Sequence, residues 1–242
     1  MNNKTPGILF LVEGAKTDFS LMKKLLDIYS ISDSYEIISY NTNIYNLYQR
    51  MFFENDPESL DLLQVLKEHE PDESKKRIFN RHYSDIILIF DLDPQDPLFS
   101  PEKILKMASF FNESSDHGKL YLNYPMVESF YHMKSIPDPD YDSYTVSLDE
   151  LKQKTFKTKV KQVCRIPYKN FAVSRSECNI IIAQNLLKAK DIIKSADLVN
   201  SPDTIKILET QLSSLEKYRL LSILCTCIFF IADYNPHFLE QT

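Results

Sequence analysis

The stretch ILFLVEGAKTD, Ile8 to Asp18, decides how the rest of the chain is read. Five apolar residues of strand length lead into Glu13, then Gly14, then an amphipathic segment, which is the pattern of a buried strand turning into a helix. Glu13 is thereby expected at a strand's carboxyl end. Open α/β sheets hold their ligand sites there, because the loops diverge and the following helix offers its positive end. Glycine occurs three times in the chain, at Gly7, Gly14 and Gly118. A sequence so sparing of it is expected to keep Gly14 for backbone freedom, and glycines so far apart cannot write a phosphate-binding P-loop or a dinucleotide-binding glycine motif.

Working outward, Thr17 is placed to cap a helix whose apolar positions Leu21, Met22, Leu25, Leu26 and Tyr29 fall on one face. Tyr35 to Tyr40 reads as a second strand, completing a βαβ unit. Residues 43–82 read as a helical insertion, and the eight acids between Glu54 and Glu73 read as its solvated side. Asp85 to Phe90 is the clearest strand, a continuous aliphatic run of the kind buried on both faces of a parallel sheet. Asp91, Leu92, Asp93 and Pro94 follow it. If the strand runs on, its period of two puts Asp91 and Asp93 on one side. A helix over Pro101 to Phe111 and a strand over Lys119 to Leu122 come next, then a short helix bearing Glu128. The expected fold class is thus α/β, a parallel sheet flanked by helices, occupying residues 1–136. Prolines and acids from Pro137 onward mark the start of a second region, 137–242, with a basic segment and long helices over Glu177 to Ser195 and Pro202 to Asp233.

The chain has 242 residues, 43% hydrophobic and 26% charged, enough to bury a sizeable core. The four cysteines form no CxxC pair, and no signal-peptide pattern precedes the first strand, so a reducing cytoplasm is the expected setting. Leu220 to Ala232 is the most apolar run, too short for the roughly 20 residues a bilayer needs, and reads as a buried helix that carries Cys225 and Cys227 as core or interface thiols. No membrane is expected as a partner. The net charge of −6 hides an uneven distribution. Leu151 to Arg175 carries Lys152, Lys154, Lys157, Lys159, Lys161, Arg165, Lys169 and Arg175 and no acid, with Phe156, Tyr168 and Phe171 interleaved. Such a segment suits a nucleic-acid backbone, its cations releasing counterions and its aromatics stacking on unpaired bases.

Three strand ends therefore offer carboxylates: Glu13, the pair Asp91 and Asp93, and Glu128. In a parallel sheet these ends face the same way and converge. Two carboxylates about 4 Å apart repel by about 4 kcal/mol at an effective dielectric of about 20, so the cluster calls for a cation. Hard oxygen donors select Mg²⁺ or Mn²⁺, the ions of phosphate chemistry. Taken singly, each acid is equally an ordinary helix cap. Lys16, one turn into the first helix, is within reach of a phosphate held there, although surface lysines are common. His132 is the only histidine near the site and reads as a helix-face residue.

The hydrophobic run with Glu13 and Gly14, the run Ile87 to Asp93 ending in DxD, and the segment Asn123 to Phe130, NYPMVESF, together resemble a Toprim domain, with the RloB-like and OLD-type nucleases of bacterial anti-phage defence as the nearest kin. The resemblance covers about residues 6–135. It implies a Mg²⁺- or Mn²⁺-dependent nuclease that cleaves phosphodiester bonds in DNA or RNA, tRNA included. It makes Glu13 a ligand or general base, Asp91 and Asp93 metal ligands, and Glu128 a further acid of the catalytic set. A third acid of the motif would fall at Gln95. Because the chain has no P-loop, any ATPase that gates the activity is expected to be a separate subunit. The alternative is a non-catalytic interaction subunit whose C-terminal helices assemble it with itself or with an ATPase.

Overall fold

A computed structural model of the chain describes residues 7–31, 35–53, 56–115, 117–195 and 202–239. Strand β1, Gly7–Val12, is buried at every position. Helix α1, Thr17–Tyr29, follows, and Leu21, Met22, Leu25, Leu26 and Tyr29 are the buried face that its spacing predicts. Strand β2, Tyr35–Ser39, returns parallel to β1, with Phe10 opposite Ile37. Burying each large apolar side chain of such a sheet stabilises it by about 1.5–3 kcal/mol.

The helical insertion is a series of short pieces: α2 at Ile44–Tyr48, a π turn at Gln49–Phe53, a 3₁₀ turn at Pro57–Ser59, α3 at Leu62–His69 and α4 at Glu73–Phe79. Its acids have a local use. Asp56, Asp61 and Asp72 each accept a hydrogen bond from the backbone of the turn they open, so part of the acidic run is a set of helix caps. Strand β3, Tyr83–Asp91, is longer than expected at both ends and lies parallel to β1, with Leu11 opposite Leu88. After α5, Pro101–Phe110, a two-residue strand β4, Asn112–Glu113, pairs antiparallel with β5, Gly118–Asn123.

The five strands form one mostly parallel sheet in the order β2-β1-β3-β5-β4. The chain leaves β1 for β2 on one side and reaches β3 on the other. The carboxyl ends of β1 and β3 therefore flank a point where the strand order reverses, the position at which open α/β sheets form a crevice.

The remaining chain contains β6, Thr145–Ser147, α6, Leu148–Lys152, α7, Phe156–Val163, α8, Arg175–Ile193, α9, Thr204–Tyr218, β7, Leu220–Ser222, and α10, Phe229–Tyr234. Helix α8 opens with a reciprocal capping box between Ser174 and Glu177. The expected single helix over Pro202 to Asp233 is not what forms. Arg219 adopts a left-handed conformation, φ 56°, which ends α9, and Leu220–Ser222 pairs antiparallel with Thr145–Ser147. Apolar character alone cannot tell a buried helix from a buried strand, and here the ladder to β6 satisfies the backbone. Cys225 and Cys227 thus lie between β7 and α10, buried, with their sulfurs 3.4 Å apart. Leu221 and the run from Ile223 to Ala232 are buried too, so they face the interior and not an assembly partner.

The described residues divide into two compact units. One takes in 7–26, 30–90 and 102–121, and the other 27–29, 91–101 and 122–239. The division passes through the carboxyl ends of β3 and β5. Residues 122–136 group with the chain after them, on the far side of the boundary expected at 137. No described helix is long and apolar enough to cross a membrane.

Candidate metal centre

Glu13 follows directly on β1. Its N–H donates to the carbonyl of Ile89 (3.0 Å) and its carbonyl accepts from Asn41 N (2.9 Å), so the backbone at this acid is held by the chain on both sides. Gly14 is not in a left-handed conformation, which corrects the expectation of backbone freedom. A Cβ at this position would lie 2.6 Å from an oxygen of the buried Asp18 carboxylate, so the glycine is the space into which that carboxylate comes.

Asp91 is the last residue of β3 and is buried, and its Oδ1 accepts from the N–H of Val127 (2.8 Å) and from Asn123 Nδ2 (3.4 Å). The strand does not run on to Asp93. Leu92 N donates to the carbonyl of Asn123 (3.1 Å) and Asp93 N to that of Pro125 (3.2 Å), while Asp93 turns into the left-handed region at φ 41°. Aspartate is one of the few residue types that tolerates this conformation. The period-two argument for pairing Asp91 with Asp93 therefore fails, and a turn brings Asp93 round instead. Asp93 Oδ1 accepts from Gln95 Nε2 (2.9 Å). Burial pushes the Asp93 carboxyl above its ordinary pKa; the Gln95 hydrogen bond and the Lys157 charge oppose the shift, and Asp96 and Glu128 add to it.

Glu13, Asp91 and Asp93 each present one carboxylate oxygen, and these oxygens lie within 4.8 Å of one another. All three donors are hard anionic oxygens, a set suited to Mg²⁺ or Mn²⁺. The spacing is within the span of ligands that share one ion at a little over 2 Å from each.

Glu128 sits on a buried 3₁₀ turn, Val127–Tyr131, against which α7 packs. It is 4% exposed, and its Oε1 pairs with Lys157 Nζ at 2.9 Å. Burial disfavours the Lys157 charge, but Glu128, with Asp91 and Asp93 behind it, holds its pKa above the ordinary lysine value. Lys16 is exposed in the turn before α1.

The eight cations of the basic segment separate into classes. Lys157 pairs with Glu128, Lys159 pairs with Glu150 at 2.8 Å, and the Arg175 guanidinium lies over the rings of Tyr29 (5.3 Å) and Phe238 (4.9 Å). Lys152, Lys154, Lys161, Arg165 and Lys169 are exposed. The interleaved aromatics do not serve as base-stacking platforms: Phe156 and Phe171 are buried, and Tyr168 stacks on Tyr131 with centroids 3.9 Å apart. His132 is a core residue, its ring stacked against Phe156.

Two contributors have no clear signal in the sequence. Asn123 joins Asp91 to the segment carrying the free thiols Cys225 and Cys227, since its Oδ1 accepts from Cys227 N (3.2 Å). Lys157 is indistinguishable by composition from its neighbours, and only the packing of α7 selects it. Comparison with known proteins returned no matching family model, no matching characterised protein and no matching solved structure.

Proposed function

We propose that the chain is a divalent-metal-dependent nuclease of Toprim-like architecture, acting on phosphodiester bonds of DNA or RNA. The observation that carries this reading is that carboxylate oxygens of Glu13, Asp91 and Asp93 lie within 4.8 Å of one another. A Mg²⁺ or Mn²⁺ ion held by these acids supplies Lewis acidity toward water and toward the phosphate oxygens.

The chain's own residues set the geometry. Asp91 is oriented by Val127 N and Asn123, and Asp93 by Gln95, so neither needs to be ordered when an ion arrives. Glu13, half-buried at the end of β1, is the acid placed either to complete the ligand set or to accept a proton from the attacking water. The exposed lysines and arginine of the basic segment are the electrostatic contribution to backbone binding, without aromatic stacking. The anti-phage setting and a separate ATPase subunit come from the resemblance alone.

Incubating the full chain with single- and double-stranded DNA and with RNA, in Mg²⁺ or Mn²⁺, tests the reading. Cleavage is expected only with metal, to be abolished by chelation, and to drop by at least about a hundredfold in Glu13→Ala and Asp91→Asn. Cleavage that persists in Glu13→Ala, or that ignores chelation, would overturn it. An interaction subunit is distinguished by manganese titration, since its acids would take up no Mn²⁺.

A further inference from the structure

Among the acids of this region Glu128 is the anomaly. It is 4% exposed, one oxygen is paired with Lys157, and the other, Oε2, is buried with no hydrogen-bond partner among the described residues. A carboxylate with an open buried oxygen beside Asp93 has the makings of a metal ligand. Its cation is already supplied from within the chain. Lys157 reaches it from the second residue of α7, its side chain 60% exposed while that of Glu128 is 6% exposed, so the charge comes in from the surface to a buried acid. Asp91 and Asp93 lie within the electrostatic reach of the same ammonium. On the other flank of Asp93, the amide of Gln95 donates a hydrogen bond and brings no further negative charge.

We infer that Lys157 is the built-in second cation of this centre, holding Glu128 away from metal so that the remaining acids take a single divalent ion. The inference rests on the metal-centre reading of Glu13, Asp91 and Asp93. It assigns Lys157 as a positioning residue and sets it apart, by its ion pair with Glu128, from the other exposed lysines of its segment. Lys157→Met keeps the aliphatic length and removes the ammonium, leaving Glu128 as a buried acid without its ion-pair partner. A buried carboxylate stripped of its partner must be neutralised by a proton or by another cation, and a titration with excess Mn²⁺ near neutral pH sets the metal against the proton for that place.

Manganese titration of the full chain, followed by electron paramagnetic resonance of free Mn²⁺, reads the stoichiometry directly. The expected result is one Mn²⁺ per chain in the wild type, two in Lys157→Met, and one again in Lys157→Met/Glu128→Gln. Glu128→Gln alone is expected to keep the single ion, whereas loss of a true ligand would weaken binding by about tenfold or more. Two ions in the wild type, an unchanged single ion in Lys157→Met, or a tenfold loss in Glu128→Gln would each overturn the assignment of Lys157 while leaving the metal centre standing. No Mn²⁺ binding by the wild type would remove the metal centre itself, and this inference with it.

Discussion

Asp91 and Asp93 stand two residues apart but are placed by different means. Asp91 ends a strand and is clamped by a backbone N–H, whereas Asp93 has left the strand through a left-handed turn. Their types and order were legible in the sequence. The turn was not, because strand periodicity carries no information about where pairing stops. His132 shows a second consequence of burial at the residue scale. Its ring is enclosed by Phe156 and Tyr144, and burial first, then the charge of Lys159, depresses its pKa to about 4 from an ordinary 6.5. The imidazole is therefore neutral in the folded chain, and between those two values the unfolded chain binds more protons. Its contribution is complete above about pH 6.5 and is lost as pH falls toward 4, by about 3 kcal/mol in all. Urea denaturation at pH 7 and pH 4.5 is expected to show a loss in the wild type larger by about 2–3 kcal/mol than in His132→Phe. Equal losses would mean that this ring does not carry the effect.

At the scale of elements, β1, α1, β2 and β3 were readable because each carries an unbroken apolar run or a helical face. Strand β7 was not, since an apolar run of fewer than fifteen residues suits a strand or a helix equally, and the choice depends on a partner, β6, about seventy residues earlier. Strand β5 has a further constraint at its first residue. Gly118 has φ +109°, and a Cβ there would lie 2.7 Å from Leu88 Cδ1 on β3, with Ile86 at 3.4 Å. The position thus needs glycine both for its backbone and for the approach of its neighbour. Gly118→Ala is expected to cost about 1–3 kcal/mol in denaturant unfolding. A change below about 0.5 kcal/mol would show that β3 and β5 accommodate the methyl by small shifts.

At the scale of the whole molecule, the net charge of −6 conceals a segment whose cations the fold has sorted. Replacing Lys152, Lys154 and Lys161 together by Gln is expected to reduce the slope of log binding constant against log salt by about 2–3 for nucleic acid, as three phosphate contacts would. Arg175→Gln, at a guanidinium lying over Tyr29 and Phe238, is expected to leave that slope unchanged. Fluorescence anisotropy across a salt series checks both, and an unaltered slope in the triple variant would remove these lysines from the interface. What the sequence by itself determined was the α/β class, the core strands and the identity of the strand-end acids, because apolar periodicity and the residue after a strand are local properties. Only the tertiary structure decided that Glu13, Asp91 and Asp93 meet, that Gly14 makes room for Asp18, and that one cation among the eight of the basic segment is drawn to Glu128. Those outcomes depend on strand order and on helix packing between residues far apart in the chain.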